Sequence, residues 1–223
     1  MTSKELYYQF HLLLNENANF KNVKISEGNF VLLFNRCAER WLNISIDLWM
    51  KDEDILNLQE FIKNDEKLDF YETVEKDSVI QYKYKIPADY FTWVDSHSLV
   101  QKDCSLYLTN YFVKPRDVRI YIADGFPSLE YEEGLCNISN NFLIVYAKDF
   151  TISTTYLSYF KNPPKIDIEG YENLKGEKSK NIDSDISDVY LNQMLDMCVT
   201  EVQREFKDQF GFQVSKERET ENK

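Results

Sequence analysis

Residues that interrupt regular backbone structure are scarce in this sequence. It has 6 glycines and 5 prolines among 223 residues, so most of the chain is expected in helices and strands. Histidine is scarcer still: there are only His11 and His97, and a structural role is the simpler interpretation for both. Phosphate-binding loops, dinucleotide glycine fingerprints, H-E-x-x-H and G-x-S-x-G are all missing. These absences exclude several enzyme classes, and we expect no catalytic residues and no cofactor.

Positive charge is also in short supply. With 38 acidic and 26 basic side chains the chain has a net charge of −12, which argues against a basic groove that holds nucleic acid. No stretch approaches the roughly 18 apolar residues of a membrane-spanning helix, and the N-terminus lacks the basic and apolar regions of a signal peptide. We therefore expect a soluble protein that is not exported and has no membrane partner.

Paired cysteines are missing as well. The four cysteines are widely scattered, with no C-x-x-C pair: Cys37, Cys104, Cys136 and Cys198. This spacing favours reduced thiols in the core over a disulfide framework or a zinc site, and we expect no metal.

Helical patterns occupy the N-terminal part of the chain, residues 1–67. Thr2 and Glu5 have capping-box spacing and predict a helix over about 3–15. Ser26 can cap a second, longer helix, whose apolar stripe is Phe30, Leu33, Phe34, Cys37, Trp41 and Ile44. A third helix is predicted over "KDEDILNLQEFIKND". Three helices that are each apolar on one side should form a bundle.

The period of the pattern changes to two at about residue 68. "VIQYKYKIP" alternates as a half-buried strand does, and "SLYLTNYFV", "SLEYEEGLCNI", "NFLIVYAKDF" and "TISTTYLSYF" continue in strand-like runs. Their junctions at 139–141 and 148–149 are short enough for hairpins. Pro115 can begin a short helix that ends near Gly125. Residues 68–160 are therefore predicted to form an antiparallel β subdomain, a meander, with one short helix.

A polar segment, residues 161–183, follows the last strand-like run. Asn162-Pro163-Pro164 favours extended backbone, and the apolar residues Ile166 and Ile168 then alternate, with Tyr171 beyond them. Because a flexible linker rarely needs such residues, we interpret the segment as an extended arm that adds a strand to a neighbouring subunit. The alternative is an ordered loop folded back on its own domain.

The last predicted helix, 184–212, packs on the N-terminal bundle, and a flexible charged tail, 213–223, follows it. Its apolar stripe includes Val189, Tyr190, Met194, Met197 and Phe206. The fold class that we predict is α+β, with N- and C-terminal helices forming a bundle and an antiparallel β-sheet subdomain inserted in it.

Several stretches resemble a known family. In order along the chain they are "ERWL", "IPADYFTWVDSHSL", "VKPRDVRIYIADGFPSLEYEE", "NISNNFLIVY" and "TYLSYFKNPPKIDI". The sequence is similar in these stretches to the head-to-tail connector (portal-adaptor or neck ring) proteins of tailed bacteriophages, especially crAss-like phages.

The resemblance implies a structural virion protein and not an enzyme. It implies a homo-oligomeric ring, a dodecamer that matches the portal, in the head–tail neck of a virion assembled in the bacterial cytoplasm. Such a ring would bind the portal, neighbouring copies of itself and other neck or tail ring proteins. During genome ejection DNA would pass through its channel without specific binding. The matching positions for docking would be the arm, Pro163 to Tyr171, and the final helix, Ile186 to Phe206. On that helix the candidate interface residues would be Val189, Tyr190, Met194, Met197 and Phe206.

Two other functions are consistent with the composition. One is a small acidic hydrolase that uses carboxylates of the β region, although Glu130, Glu132 and Glu133 read as an exposed acidic strand face. The other is an acidic, host-directed binding module, such as a DNA mimic.

Overall fold

A computed structural model of the chain describes residues 1–17, 24–51, 58–76, 79–101, 105–125, 133–148, 150–163, 165–172, 176–205 and 216. The chain divides into two compact units. Met1–Glu60 and Pro163–Lys223 form one, called here the terminal unit, and Phe61–Asn162 forms the other, called the sheet unit.

Three helices build the terminal unit: α1 (Ser3–Asn17), α2 (Glu27–Trp49) and α4 (Asp188–Glu205). The predicted capping box is confirmed, because the Thr2 amide donates to Glu5 Oε2 at 2.7 Å and the Glu5 amide donates to Thr2 Oγ1 at 3.2 Å. The cap of α2 is confirmed too, since Ser26 Oγ accepts the Asn29 amide at 3.4 Å.

The core of the terminal unit lies where α4 packs against α1 and α2. Its fully buried side chains include Leu6, Phe10, Leu14, Phe30, Phe34, Leu42, Met194, Leu195 and Cys198. Each large apolar side chain buried in this way contributes roughly 2 kcal/mol. Burial and the neighbouring Cys37 raise the pKa of the Cys198 thiol well above its ordinary value, so both cysteines pack as apolar groups between α2 and α4.

The described residues of the sheet unit form eight strands. They are β1 (Ile62–Lys67), β2 (Asp69–Lys76), β3 (Val79–Lys85), β4 (Tyr90–Gln101), β5 (Ser105–Phe112), β6 (Glu133–Ser139), β7 (Phe142–Ala147) and β8 (Thr151–Lys161). Their order in the sheet is β1-β8-β4-β5-β6-β7-β3-β2. All pairs are antiparallel except β5 with β6, which the crossover through the helix α3 (Val118–Ala123) makes parallel.

The two edge strands of this sheet are consecutive in the chain. Only Leu68 separates β1 from β2, so the sheet has to curl until its edges come within one residue of each other. Leu68 itself is buried in the core, and its amide donates to the Thr155 carbonyl at 3.0 Å. A register shift between Lys63 and Glu66, with Asp65 at a φ of 52°, helps β1 to bend.

Apolar side chains fill both faces of the curled sheet. The larger cluster includes Tyr84, Leu108, Leu143, Leu157 and Tyr159. A smaller cluster lies beneath α3 and contains Val79, Val113, Val118, Leu135 and Tyr146. The second cluster fixes α3 to the sheet by its Val118 side.

The fold class predicted from the sequence is wrong. A single curled, mixed half-barrel of eight strands dominates, and 38% of the described residues are helical and 39% are in strands, instead of an antiparallel sheet inserted in a bundle of terminal helices. The third predicted helix is also wrong within the described residues, because Leu58–Phe61 is one 3₁₀ turn and β1 follows it directly. The sequence did not indicate a strand at 62–67, because the charged, mostly exposed β1 lacks the alternation of apolar and polar residues that marks a strand.

The predicted meander is correct in one hairpin and wrong in its order. Asn140 and Asn141, with φ of 52° and 64°, form the turn of the β6–β7 hairpin. The junction at 148–149 is not a hairpin, since β8 pairs with β1 and β4 and not with β7. Sequence spacing shows how short a connection is, but not which earlier strand the next one joins.

Candidate interaction surface

The polar segment after β8 is held in shape by hydrogen bonds within itself. The backbones of Asp167 and Ile182 exchange two hydrogen bonds of 3.0 Å. Asp167 Oδ1 accepts from the Ile168 amide at 2.9 Å and from the Tyr171 hydroxyl at 2.6 Å. Ser179 Oγ accepts from the amides of Gly170 and Tyr171, both at 3.0 Å. These bonds satisfy the polar backbone of a loop that has no regular ladder.

The same segment is anchored on α2. Asn35 Nδ2 donates to the Ile166 carbonyl at 3.1 Å, and Asn35 Oδ1 accepts the Ile166 amide at 3.0 Å. The Tyr171 ring lies against Gly28, where an added Cβ would stand 3.0 Å from Tyr171 Cδ2. Burial, together with the hydrogen bond to Asp167, raises the pKa of Tyr171 to about 12.

The residues of the predicted arm therefore pack on their own chain. Pro163 is buried, and Ile166 and Ile168 are 1% and 0% exposed. Tyr171 is half-buried, and Pro164 lies outside the described residues. The described part of the segment is the ordered loop that was the alternative to the extended arm, because Asn35 and α2 supply the partners expected from a neighbour.

Most of the interface residues predicted on the last helix are also buried in their own chain. Tyr190, Met194 and Met197 are buried within the terminal unit, while Val189 is exposed. Phe206 lies outside the described residues. The stripe on α4 is thus mainly core, and Val189 is the one described member of the set on the surface.

The outer side of the ordered segment is acidic. Residues 165–188, called the acidic loop here, carry seven acidic side chains and four lysines. The exposed acids are Glu169, Glu172, Glu177, Asp183, Asp185 and Asp188. Asp188 forms an ion pair of 2.7 Å with the N-terminal amine of Met1, which ties this end of the loop to the start of α1.

A second surface surrounds α3 and was not predicted from the sequence. It is called the α3 surface and consists of Lys114, Arg116, Arg119, Ile120 and Tyr121 with Tyr111 and Phe112 of β5, all of them exposed. Tyr111, Phe112 and Tyr121 line one groove of about 330 Å³, together with Val113, Glu133 and Leu135. Arg119 lines a second groove, of about 380 Å³, on the side of Val118 and Ile122.

The position of α3 explains why these side chains face outward. Val118 and Ile122, one helical turn apart, pack on the apolar cluster of the sheet. Ile120 consequently lies on the opposite side of the helix and is 60% exposed, while Arg119 is exposed on the flank next to Val118. Tyr107 and Tyr111 alternate with the buried Leu108 and Asn110 along β5. That alternation in "SLYLTNYF", next to "KPRDVR", is the signal in the sequence that could have indicated this surface.

One polar cluster of the sheet unit has the composition of a catalytic site. The Tyr159 hydroxyl donates to Asp89 Oδ1 at 2.8 Å, and Lys63 Nζ lies 2.9 Å from Asp89 Oδ2. Burial opposes ionisation of Asp89, but its bonds to Lys63 and Tyr159 outweigh burial and lower the pKa of this carboxyl. Burial and the same carboxylate raise the pKa of Tyr159 to about 12. Both shifts favour the protonation states of a stable structural cluster.

His97 lies beside an acid without forming a catalytic triad. Its Nδ1 is 3.6 Å from Asp65 Oδ1, and its ring stacks on Tyr156 with the centroids 4.9 Å apart. Ser158 Oγ donates to Asp65 Oδ1 at 3.5 Å. The acid therefore lies between the serine and the histidine, whereas a serine nucleophile needs the histidine beside it.

Other features that a site could use are reported for the described residues only. Within those ranges, no group of three acidic, cysteine or histidine side chains is placed to hold a metal ion. Among the described helices, none has both the length and the apolar character that crossing a bilayer requires.

Comparisons with known proteins give no family for this chain. Neither a protein-family model nor a curated protein sequence matches it.

Proposed function

We propose that this chain is a structural, non-enzymatic subunit of a tailed-phage virion. It forms a ring in the head–tail neck as a connector, or portal adaptor, that extends the DNA channel and links the portal to the tail. Its partners are the portal, neighbouring copies in a dodecamer, and adjacent neck or tail rings. The similarity of "IPADYFTWVDSHSL" and "TYLSYFKNPPKIDI" to connector proteins of crAss-like phages is the reason for naming this class of assembly.

The observation that supports the proposal is the α3 surface. Tyr111, Phe112 and Ile120 are 51%, 41% and 60% exposed. Tyr111 and Phe112 share a groove with Tyr121 of α3, and Ile120 follows the exposed Arg119 on that helix. Aromatic residues and arginine are enriched at protein interfaces, and clustered large apolar side chains are rarely left in water without a partner. A subunit that functions only as part of an assembly would bury such a surface against a neighbouring subunit.

Charge fits the role of a channel. The terminal unit carries 23 acidic and 15 basic side chains, and the sheet unit carries 15 and 11. Both units are net negative, so DNA would be repelled from a wall built of either one and could slide through it.

The proposal is tested by mixing the purified protein with the portal ring of the same phage and imaging the mixture by electron microscopy. We expect a second ring stacked on the portal with a continuous central channel. The portal of an unrelated phage is the control and should remain bare. A chain that leaves its own portal bare, and that mass spectrometry does not detect in purified virions, would not be a connector.

A further inference from the structure

We propose that the α3 surface of one copy binds the acidic loop of a second copy, so that copies associate head to tail. The inference rests on the proposed function, since it names the two faces that would meet within the ring. It also predicts self-association of the purified protein, which can be measured without the portal.

The apolar part of the contact comes from the α3 surface. Its groove of about 330 Å³ is lined by Tyr111, Phe112, Val113, Tyr121 and Leu135. Among the described residues of that lining, Glu133 is the acidic one. A shallow apolar groove with aromatic walls is the kind of site where a few side chains carry most of the binding energy.

The charged part of the contact identifies the partner. Lys114, Arg116 and Arg119 concentrate positive charge within six residues of a chain whose net charge is −12. Arg116 Nε lies 3.5 Å from Asp117 Oδ1, an exposed pair of the kind that contributes little to stability, and Lys114 and Arg119 are exposed as well. The complementary surface in the same chain is the acidic loop, where Glu169, Glu172 and Glu177 are exposed. Complementary charge steers partners together and sets their orientation.

The sign of the charge excludes one kind of contact, because α3 surface against α3 surface would place cation against cation. Pairing the α3 surface with an acidic loop uses two different patches. In the ring of the proposed function each copy offers its α3 surface to one neighbour and its acidic loop to the other, which makes the interface heterologous. Heterologous contacts close into rings when the rotation allows it, and otherwise they extend as filaments.

Nucleic acid fits this surface less well than a second copy does. Arg116 pairs with Asp117, and Glu133 lines the groove of the α3 surface, on a unit with a net charge of −4. A phosphate backbone would meet these acids as well as the cations, whereas nucleic-acid binding depends on a continuous basic footprint.

The experiment measures self-association of the full-length protein by sedimentation velocity over a range of protein and salt concentrations. In the test variant R116E/R119E we expect the concentration needed for association to rise about tenfold, and association of the wild type to weaken with salt. The matched control is K67E/K148E, which makes the same change in net charge at two other exposed lysines of the sheet unit and should associate like the wild type. E169R/E172R should impair association, and combining it with R116E/R119E should restore it.

The outcomes separate this inference from the proposed function. If R116E/R119E and the control associate equally, the α3 surface is not a contact. If the combined variant R116E/R119E/E169R/E172R does not regain association, the acidic loop is not the partner of that surface. A wild type that stays monomeric at all concentrations overturns the inference, and the portal mixture still decides whether the protein is a connector.

Retention of double-stranded DNA by the wild type, lost in R116E/R119E, would assign the surface to nucleic acid instead. Thermal melting of each variant checks that these exposed substitutions leave the fold intact.

Discussion

At the scale of single residues, Asn35 controls how the acidic loop is attached. Its amide pairs with both the N–H and the C=O of Ile166 at a partly buried position. Asn35→Ala should leave both backbone groups without this partner and lower the free energy of unfolding by about 1–3 kcal/mol. The control on the same helix is Asn43→Ala, which removes an exposed amide that donates to the Glu39 carbonyl and should change stability by less than about 0.5 kcal/mol. Urea unfolding compares them, and equal losses would mean that Asn35 does not anchor the loop.

Buried tyrosines supply a second residue-scale prediction, in alkaline solution. Burial raises the pKa of Tyr90, Tyr159 and Tyr171 to about 12, so these hydroxyls should still be protonated when ordinary tyrosines have ionised near pH 10. The pKa of these hydroxyls is higher in the folded protein than in the unfolded chain. Their contribution to the free energy of unfolding is therefore complete below pH 10 and is lost as the pH rises toward 12. Tyrosinate absorbance should show a late-titrating fraction that Tyr171→Phe reduces by one residue. In denaturant the late fraction should disappear, and its persistence there would contradict the assignment to folded structure.

Single residues were also where sequence reasoning reached its limit in the acidic loop. The alternation of Ile166 and Ile168 indicated correctly that these side chains need a buried environment. It could not show which molecule provides that environment, because Asn35 lies 131 positions away from Ile166 in the chain. The sequence pattern indicates that these side chains are buried, whereas the residues that bury them are determined by long-range packing.

At the scale of elements, the contact between α2 and the acidic loop passes through Gly28. Alanine is normally better than glycine in a helix by up to about 1 kcal/mol, but a Cβ here would stand 3.0 Å from Tyr171 Cδ2. Gly28→Ala should therefore destabilise the protein by about 1 kcal/mol. In a Tyr171→Ala background the ring is absent and the same substitution should become stabilising. A double-mutant cycle by thermal unfolding measures both steps, and an effect of one sign in both backgrounds would contradict this contact.

Elements with local signals were predictable, and elements defined by distant partners were not. Thr2, Glu5 and Ser26 set the starts of α1 and α2 through bonds within three residues, so the sequence alone located both helices. The β6–β7 turn was equally local, since Asn140 and Asn141 tolerate positive φ. The strand β1 and the parallel pair β5–β6 carry no such local mark. The α3 surface was missed for the same reason, because its outward side is defined only once α3 is packed on the sheet.

At the scale of the whole molecule, the path of the chain suggests that the sheet unit can fold alone. Its two apolar clusters consist entirely of residues between 61 and 162. The chain enters and leaves the unit side by side, since Ile62 pairs with Phe160. Leu68 joins the two edge strands, so the curled sheet needs no other segment to complete its strand order.

The last prediction follows from this self-contained strand order: residues 61–162 expressed alone should give a β-type circular dichroism spectrum and one cooperative thermal transition. Leu157, fully buried in β8, offers the matched control, because Leu157→Asp places an unpaired charge in the core and should abolish that transition. If the excised segment has no cooperative transition while the full chain does, the sheet unit depends on the terminal unit for its stability. If it does fold, charge reversals on the α3 surface can be studied in this unit without disturbing the packing of α1, α2 and α4. Loss of the heterologous contact could then be separated from loss of fold.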